Sequence, residues 1–524
     1  MAEHSMSALH TGATVAEAYQ SALQSFPERV ALVLPDGSHW TCAELQRRVH
    51  AMARYLQARG LQHQDGLAVL AGNQPEALVV IMACAWLGLR QTSLHPLSAL
   101  DDQAFVLQDA DIRALVVGAQ HVERGLALKG RGIVPQVLGL GPSALGEDAI
   151  AASLAFDGGA LPIAAQPEDI YRITYTGGTT GRPKGVVHRS RTTLTMLLQQ
   201  LACWEWPEAL RFLIATPISH AGGAMVLPTL LRGGTLVLLD KYSPDAFLQA
   251  VQQHRITATF LVPTQIYGLL DHPGLDQWDR SSLQYVLYGA SPMAPARLAE
   301  ALQRFGPIFG QLYGQAEAPM TIAYLRKHAH DLGRPERLQS CGQALPGNQV
   351  RLLNTQGREV AAGEVGELCV RSPLVMEGYR NRSDATEEAF AGDWLHTGDM
   401  ARRDADGYLY LVDRAKDMVI TGGFNVYSSE VEACLALHPA VAQSAVIGMP
   451  DAKWGEAVVA LVVLKPGASA EPQALMDFVH ERKGALHTPK QLWLEQALPV
   501  TPLGKIDKKA LRARFWDGQA RQVG

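Results

Sequence analysis

The sequence predicts an α/β protein with a large N-terminal domain of layered sheets that includes a small β-subdomain, followed by a small α+β C-terminal domain. Three observations support this prediction. The chain has 524 residues, which is too many for a single hydrophobic core. Up to about residue 340, short apolar runs alternate with amphipathic segments, a pattern typical of parallel sheets covered by helices. Beyond that point the apolar runs become turn-rich, and a charged stretch at 413–417 precedes the last part of the chain.

The N-terminal region begins with a helix, a strand and a longer helix. Hydrophobic periodicity predicts the first helix over residues 14–26 and the strand over residues 31–34. The longer helix is predicted over residues 43–60, because Thr41 and Glu44 form a capping box and a glycine suits the position just past a helix end.

Strands and helices then alternate as far as residue 305. The predicted strands cover residues 67–70, 114–117, 170–175, 213–215, 235–239, 258–262 and 285–288. The predicted helices cover residues 77–88, 244–254 and 295–305. The last helix has Pro295 in its first turn and Gly306 just past its end, where each residue type is favoured.

Two smaller units are predicted after this alternation. Residues 340–412 form a β-subdomain within a first domain of residues 1–413, and residues 414–524 form a second domain. Within the subdomain, strands are predicted at 350–353, 366–370 and 408–411. Within the second domain, helices are predicted at 429–437 and 472–483, and strands at 441–448 and 457–464.

Composition and charge exclude several classes of protein. A net charge of −5 with dispersed basic residues argues against nucleic-acid binding. The longest apolar run, residues 77–89, is shorter than the roughly 20 residues that span a bilayer, so we expect no integral membrane segment. The N-terminus has neither a basic nor an apolar leader pattern, and the six cysteines are widely spaced. We therefore expect a cytoplasmic protein with reduced thiols.

The most informative stretch is Thr176 to Gly185, which contains four glycines, three threonines and Lys184. Glycine backbone N–H groups can point inward and form a concavity that suits phosphate. A Walker A loop is excluded, because Lys184 lies between Pro183 and Gly185 and no hydroxyl follows it to reach Mg²⁺. The stretch therefore predicts a phosphate-binding loop of another type.

Residues 176–184 resemble the phosphate-binding signature of the adenylate-forming superfamily, which includes acyl- and aryl-CoA synthetases, amino-acid adenylation domains and luciferases. Gly177 stands where serine is common. Further segments resemble the family in the family's order, from about residue 14 to residue 514. The resemblance implies an enzyme that joins a carboxylate to the AMP part of ATP, releases pyrophosphate and passes the acyl group to a thiol. It implies ATP, Mg²⁺ and coenzyme A as cofactor or co-substrates.

The resemblance also implies the residues that bind the nucleotide. Tyr313 would lie against adenine and Glu317 would be the Mg²⁺ ligand, while Ala316 replaces the usual threonine. Asp399 and Arg414 would contact the ribose. The implied ATP- and AMP-binding residues are Thr176, Gly177, Gly178, Thr179, Thr180, Gly181, Lys184, Gly289, Ala290, Ser291, Gln311, Tyr313, Gly314, Asp399, Arg414 and Lys505.

Two lysines near or beyond residue 413 take roles from the same resemblance. Lys416 fits the hinge about which a mobile C-terminal domain rotates between the two half-reactions. Lys505 fits the catalytic lysine that reaches the carboxylate and the α-phosphate, alongside Lys184 and His220 in the catalytic set. The alternative for each is a solvated lysine in a linker or a basic tail.

The acyl group and its acceptor are the least determined features. His220, Gly222, Gly223 and Val262 would border the acyl pocket, where small residues leave volume for a bulky group. Residues 216–226 contain no acid to pair a substrate ammonium, which disfavours amino acids. His220 has no second ligand at i+3 or i+4, which argues against a metal role. We expect a fatty acid or an aryl or cyclic carboxylic acid as substrate.

Coenzyme A is the expected acceptor. Gly422, Gly423 and Trp454 would line its tunnel, although Trp454 alone is equally consistent with simple packing. A ligase that loads a carrier protein and a non-catalytic acyl-adenylate-binding protein remain the alternatives. The oligomeric state is open, with a homodimer as one option.

Overall fold

The computed structural model describes residues 12–176, 182–414, 417–421, 424–451, 454–501 and 506–516, and of Arg414 it describes the backbone only. Several predicted site residues therefore lie outside the described residues. They are Gly177, Gly178, Thr179, Thr180, Gly181, Lys416, Gly422, Gly423 and Lys505.

Helices are distributed along the whole described chain. They are α1 Val15–Ser25, α2 Cys42–Ala58, α3 Pro75–Leu87, α4 Leu100–Asp109, α5 Val122–Gly130, α6 Ala149–Ser153, α7 Ser190–Cys203, α8 Val226–Leu231, α9 Pro244–His254, α10 Pro263–Leu270, α11 Pro295–Phe305, α12 Ser383–Ala389, α13 Ser428–Leu435, α14 Pro472–Lys483 and α15 Lys508–Ala513.

The strands fall into four sheets. They are β1 Val30–Val33, β2 His39–Thr41, β3 Gly66–Leu70, β4 Arg90–Ser93, β5 Ile112–Gly118, β6 Gln136–Leu140, β7 Ile170–Thr176, β8 Lys184–Arg189, β9 Arg211–Ile214, β10 Thr235–Leu238, β11 Ala258–Leu261, β12 Tyr285–Tyr288, β13 Phe309–Gln315, β14 Ala318–Leu325, β15 Gln343–Ala344, β16 Gln349–Leu353, β17 Gly366–Arg371, β18 Gly378–Tyr379, β19 Leu395–Arg403, β20 Leu409–Arg414, β21 Val419–Thr421, β22 Phe424–Val426, β23 Val441–Asp451, β24 Gly455–Leu464 and β25 Gln491–Leu494.

Two large sheets form the N-terminal layers. Within the described residues, the first sheet has nine strands in the order β15-β14-β13-β12-β11-β9-β10-β1-β2, and its central strands from β13 to β1 are parallel. The second has seven described strands in the order β18-β8-β7-β4-β3-β5-β6, parallel from β7 to β6. This arrangement confirms the largely parallel, covered sheets that the sequence predicted.

Helix α3 shows why these layers are stable. It is buried on nearly every side, with Trp86 fully inaccessible to solvent. A helix that is apolar all round belongs in the interior of a large domain. The principal hydrophobic core contains this helix together with residues of both large sheets, so the core lies between the layers.

The remaining strands form two smaller sheets. The third sheet runs β16-β17-β19-β20 and is antiparallel throughout its described pairs. The fourth combines β21 to β25 and has its own hydrophobic core, which includes Val431, Val446 and Leu475. In the part of the chain that the structure describes, no helix is long and apolar enough to cross a membrane.

The predicted elements agree with the observed ones where the pattern was strong. Residues 295–305 and 472–483 are helices over the predicted ranges, and the capping box of Thr41 and Glu44 is formed in both directions. Helix α7 was not predicted, because its buried face carries Thr192, Gln199 and Gln200 rather than an apolar stripe. The six cysteines are free and buried, as their spacing predicted.

Candidate active site

Residues 289–291 and Tyr313, which were predicted to bind the nucleotide, lie on the neighbouring strands β12 and β13 of the first sheet or directly after them. Strand β12 ends at Tyr288, whose backbone pairs with Gln311 in β13 and whose hydroxyl lies 3.0 Å from Oε1 of Gln311. Residues 289–291 continue directly from β12. At Gly289, any Cβ would lie 2.5 Å from the carbonyl oxygen of Leu312, so only glycine allows the two segments this close.

Tyr313 and Asp399 meet in the interior. The Tyr313 hydroxyl donates a hydrogen bond of 2.7 Å to Oδ2 of Asp399, and both side chains are buried. Burial, reinforced by the Asp399 carboxylate, raises the pKa of Tyr313 well above its usual value, so the phenol keeps its proton and donates. The backbone of Asp399 pairs with that of Arg414, across β19 and β20. The structure thus brings together three residues that the sequence placed near adenine and ribose.

A second layer of polar residues holds the turn that carries Asp399. The backbone N–H of Gly398 donates to Oε1 of Glu367 at 2.9 Å, and Nδ1 of His396 lies 2.7 Å from Oε2 of the same carboxylate. The Cys369 thiol lies 3.5 Å from that imidazole nitrogen. The donor atoms of Glu367, Cys369 and His396 all lie within 4.8 Å of one another, a set that could hold a soft cation. In the described structure these groups are hydrogen-bonded to one another instead.

Glu317 and Lys184 meet on one tyrosine that the sequence did not identify. The Tyr379 hydroxyl donates to Oε1 of Glu317 at 2.8 Å, and Nζ of Lys184 lies 4.8 Å from the centroid of the Tyr379 ring. No motif distinguishes Tyr379, because Glu317 and Lys184, which its side chain contacts, lie 62 residues or more away along the chain. A tyrosine after a glycine in a short strand was the only local signal.

Glu317 suits a divalent cation. Its carboxylate is half-buried, and among the described residues only Tyr379 donates a hydrogen bond to its side chain. Its second oxygen accepts no hydrogen bond from the described chain, which leaves the ligand atom that Mg²⁺ prefers. Glu317 lies in the tight turn between β13 and β14. Just before this turn, a Cβ on Gly314 in β13 would lie 2.2 Å from the backbone nitrogen of Met320 in β14.

The two ends of the predicted phosphate loop are described, although its centre is not. Thr176 is the last residue of β7, Lys184 is the first residue of β8, and their backbones pair across the hairpin. Any Cβ at Gly185 would lie 2.8 Å from the Tyr175 ring. Tyr175 in turn donates a 2.5 Å hydrogen bond to Asp109 at the end of α4. The strand that leads into the loop is therefore hydrogen-bonded to the end of helix α4.

His220 lies against a second histidine. The His95 and His220 rings are 5.0 Å apart and meet edge to face, and Nδ1 of His220 lies 2.9 Å from the Ser219 hydroxyl. Burial lowers the pKa of His95 below its usual value, so this ring is held neutral at physiological pH. His95 was not identified from the sequence, since a single histidine in the loop between β4 and α4 belongs to no recognisable motif.

Gly222 and Gly223 are needed for close packing of the segment that follows His220. A Cβ on Gly222 would lie 2.3 Å from the carbonyl oxygen of Thr216, and one on Gly223 would lie 2.2 Å from that of Ile218. Glycine at these two positions therefore lets the segment pack against the backbone of residues 216–218. The place of Gly222 and Gly223 at the border of the acyl pocket stays a prediction. Val262, half-buried, follows β11 at the same edge of the sheet.

Asn73 holds the His220 segment in place. Its side-chain Oδ1 accepts a 2.9 Å hydrogen bond from the backbone N–H of Ile218, and its Nδ2 donates to the carbonyl oxygens of Leu239 and Thr216 at 2.9 and 3.2 Å. The residue is buried. It therefore joins the ends of β9 and β10, and this role depends on contacts more than 140 residues apart.

The predicted coenzyme A side is described only in part. The Trp454 ring is 42% exposed and lies beside Gly455, whose backbone pairs with Thr421. Phe424, on the neighbouring strand, is 62% exposed. Two aromatic rings at one end of the fourth sheet are thus accessible to a partner or ligand, and neither belongs to a core.

The chain on either side of Lys505 is anchored. The backbones of Val500 and Ile506 form an antiparallel bridge, which brings the two flanks of residues 502–505 together. Beyond it, Nζ of Lys508 lies 2.7 Å from Oε1 of Glu432 and donates to the Ser428 hydroxyl at 2.7 Å. Ser428 donates through its own backbone N–H and hydroxyl to the carboxylate of Asp413, at the end of β20.

Comparison with known proteins decides the family. Residues 19–380 match the model of the AMP-binding enzyme family, and residues 430–505 match the model of the AMP-binding enzyme C-terminal domain. The chain belongs to the AMP-binding enzyme family. The predicted membership in the adenylate-forming superfamily is thereby confirmed.

Individual relatives of this AMP-binding enzyme agree along nearly its whole length. The medium/long-chain-fatty-acid–CoA ligase FadD8 of Mycobacterium tuberculosis is 46% identical over 519 residues, covering 96% of this chain and 90% of the relative. A feruloyl-CoA synthase of an Amycolatopsis species is 35% identical and covers 94% of this chain and 99% of its own length.

A solved structure confirms the fold class of this AMP-binding enzyme. The amide bond synthetase McbA from Marinactinospora thermotolerans superposes with a TM-score of 0.89 at 36% identity, covering 95% of this chain and 99% of that one. The match includes the large N-terminal domain of layered sheets and the C-terminal domain.

Proposed function

We propose that this AMP-binding enzyme is an ATP-dependent carboxylic acid–CoA ligase. In the first half-reaction a carboxylate oxygen bonds to the α-phosphorus of ATP, and the bond to the bridging oxygen breaks, so pyrophosphate leaves with the electron pair. In the second, the thiol sulfur of coenzyme A bonds to the acyl carbon, AMP leaves and the thiol proton is released. One observation supports this most: the two contact pairs Tyr313–Asp399 and Tyr379–Glu317 are anchored on β13 and the turn that follows it.

The nucleotide would lie at the ends of β12 and β13 in the first sheet. Adenine would pack between residues 289–291 and Tyr313, and the Asp399 carboxylate would accept hydrogen bonds from the ribose hydroxyls with Arg414 beside it. The Tyr313 hydroxyl, 2.7 Å from Asp399, would orient the carboxylate for that contact. Buried hydrogen bonds of this type limit the rotation of the acceptor before the ligand arrives.

Positive charge is needed around the phosphates, because the substrate carboxylate and the triphosphate are both anions and repel each other. Lys184, with Thr176, Thr179 and Thr180 of the loop, would hold the β- and γ-phosphates. Glu317 would hold Mg²⁺, which when bound neutralises phosphate charge. Lys505 would supply the cation at the attacking carboxylate and the α-phosphate. Such cations act where charge develops in the transition state, and this makes them effective.

The acid is proposed to be a fatty acid or an aryl or cyclic carboxylic acid. The relatives FadD8 and feruloyl-CoA synthase act on members of these two classes by name, and the segment 216–226 offers no carboxylate for an ammonium group. The neutral His95 ring beside His220 adds an aromatic, uncharged wall near the expected acyl site.

Coenzyme A is the proposed acceptor, in a cytoplasmic enzyme. Gly422, Gly423 and the exposed Trp454 ring would line its path. Two other acceptors define the competing proposals. A carrier-protein thiol was the sequence alternative, and an amine is suggested by the structural match to an amide bond synthetase.

One set of assays separates these proposals. Purified enzyme would be incubated with ATP, Mg²⁺ and each of four acids (octanoate, palmitate, ferulate and benzoate), with coenzyme A, an acyl carrier protein, an amine or no acceptor. We expect AMP formation that depends on the acid, and an acyl-CoA product only with coenzyme A. Formation of an amide or of an acylated carrier protein, without acyl-CoA, would show that the acceptor is an amine or a carrier protein instead of coenzyme A. If none of the acids led to AMP release, the proposed ligase activity would be contradicted. Light scattering of the same sample would distinguish a monomer from a homodimer.

A further inference from the structure

One tyrosine touches both of the charged residues that the proposed function assigns to the triphosphate. Tyr379 donates through its hydroxyl to Oε1 of Glu317 at 2.8 Å. The ammonium of Lys184 lies over the ring of the same tyrosine, 4.8 Å from its centroid. The hydroxyl and the ring face are chemically distinct, so one side chain makes a polar contact to an anion and a cation–π contact to a cation.

The backbone fixes Tyr379 in this position. Strand β18 pairs antiparallel with β8, placing Tyr379 opposite Val186, two residues after Lys184. The backbone N–H of Tyr379 donates to the Thr386 hydroxyl at 2.9 Å. Gly378 has φ of +148°, and a Cβ there would lie 2.8 Å from the Thr386 side chain, so glycine is required next to the tyrosine.

The same segment is also tied to the backbone of Glu317. The N–H of Met376 donates to the carbonyl oxygen of Glu317 at 2.8 Å. Residues 376–379 therefore contact Glu317 through both backbone and side chain, and contact β8 where Lys184 begins it. The two charged residues are linked through this short segment, although Lys184 lies in the second sheet and Glu317 lies in a turn between two strands of the first.

The Tyr379 hydroxyl is the donor of the hydrogen bond to Glu317. This bond points one carboxylate oxygen of Glu317 toward the tyrosine and leaves the other oxygen for a ligand.

We propose that Tyr379 is a positioning residue that aligns Glu317 for a divalent cation through its hydroxyl and Lys184 for phosphate through its ring. This inference rests on the proposed nucleotide function of Glu317 and Lys184. It predicts that the two effects can be separated by removing first the hydroxyl and then the ring.

The first test measures metal binding rather than turnover. Mn²⁺ would be titrated into the enzyme saturated with a non-hydrolysable ATP analogue, and free Mn²⁺ followed by electron paramagnetic resonance. Tyr379→Phe should weaken Mn²⁺ binding by about 10–100-fold, the usual effect of losing a group that orients a metal ligand. The affinity for the analogue without metal should stay at the wild-type value, because the ring and Lys184 remain.

The second variant removes the ring. Tyr379→Leu should weaken Mn²⁺ binding as much as Tyr379→Phe does and should also weaken metal-free binding of the analogue, on the order of fivefold. Calorimetry without metal measures this second effect. Because Leu could disturb the fold, melting curves accompany both variants, and the Phe variant carries the test alone if the Leu variant is not folded.

Tyr410→Phe is the matched control. The Tyr410 hydroxyl also donates to a carboxylate, Oδ2 of Asp404 at 2.9 Å, but in the third sheet away from Glu317. It should leave both affinities unchanged. Wild-type Mn²⁺ affinity in Tyr379→Phe would overturn the inference while leaving the proposed function standing. Failure of the wild-type enzyme itself to bind the analogue would instead overturn the proposed function and this inference with it.

Discussion

The nucleotide side of the candidate site and the C-terminal domain are stabilised in different ways. On the nucleotide side, Asp399 and Glu317 each accept a hydrogen bond from a buried or half-buried tyrosine, and the segments that carry them belong to or adjoin extended sheets. The C-terminal domain has its own sheet and core, and it meets the N-terminal part at Asp413 through charged and polar side chains.

This difference agrees with the two roles proposed for these regions. Asp399 and Glu317, which are proposed to bind ATP and Mg²⁺, lie in a paired strand and in the turn that joins two paired strands. The lysine expected to act in only one half-reaction lies on a domain with an independent core. In the described part of that domain, Lys508 donates to the Ser428 hydroxyl, which in turn donates to the carboxylate of Asp413.

The largest expected effect tests the role proposed for the C-terminal domain in adenylation. Lys505→Ala should slow adenylation by about 10²–10³, because one transition-state cation is lost. Transfer from preformed acyl-AMP to coenzyme A should stay near the wild-type rate. ATP–pyrophosphate exchange measures the first step and thioester formation the second.

Lys509→Ala is the matched control for that variant, since Lys509 is an exposed lysine four residues further along the same segment. It should retain exchange activity. Near-normal ATP–pyrophosphate exchange in Lys505→Ala, or an equal loss of rate in both half-reactions, would show that Lys505 has no specific role in adenylation.

The next effect concerns the stability of the C-terminal domain. Burial alone would lower the pKa of Lys508, but the Glu432, Asp413 and Asp417 carboxylates raise it, so the residue stays charged. Lys508→Met leaves Glu432 without its cation and should destabilise the domain by about 3 kcal/mol. This is the low end for breaking a buried pair, since the two side chains are 17% and 23% exposed.

Lys483→Met is the control in the same domain. The Lys483–Glu430 pair is 38% and 36% exposed, so its loss should change the free energy of unfolding by only about 0–1 kcal/mol. Urea denaturation followed by circular dichroism measures both. Equal effects of the two variants would mean that the Lys508 network contributes no more than a surface pair.

A pH-dependent effect tests the nucleotide side. His188, buried in β8, has its pKa lowered to about 3 by burial and by Arg172. The unfolded state, with a pKa of about 6.5, binds more protons between those values, so stability falls as pH drops below about 6.5. At pH 5 this one group costs about 2 kcal/mol relative to pH 7.

His188→Gln should remove that part of the pH dependence. The loss of unfolding free energy between pH 7 and pH 5 should be about 2 kcal/mol smaller in the variant than in the wild type. His330, whose pKa is lowered to about 4 by burial, contributes equally to both proteins and cancels. His328→Gln, at an exposed position, should keep the wild-type dependence. Identical pH profiles for all three proteins would show that His188 is not held neutral.

The smallest expected effect concerns the hinge. Lys416→Pro fixes one backbone torsion, and should slow one half-reaction about tenfold more than the other if the domain rotates there. Separate assays of pyrophosphate exchange and of thioester formation from preformed acyl-AMP measure the ratio. A proportional change in both rates would argue against Lys416 as the hinge.

The parts of the site that were predictable share one property: their signal is local. Glu317 and Asp399 stand in short segments whose residue types repeat the family's pattern, although the strands β13, β14 and β19 beside or around them were not predicted. Tyr379, Asn73 and His95 were missed, because each acts through partners distant in sequence. Helix α7 was missed for a related reason, since its buried threonines and glutamines find their partners only in the folded protein.

By itself the sequence determined the α/β fold class, the order of the motifs and the family, because these depend on hydrophobic periodicity and on short runs of residues. Tertiary structure alone decided that Gly222 and Gly223 let their segment pack closely against the backbone carbonyl oxygens of Thr216 and Ile218. It also decided that Tyr313 bonds to Asp399, and that one tyrosine joins Glu317 to Lys184. The physical reason is the same in each case: close contacts between distant segments depend on sheet pairing and packing, which no local pattern records.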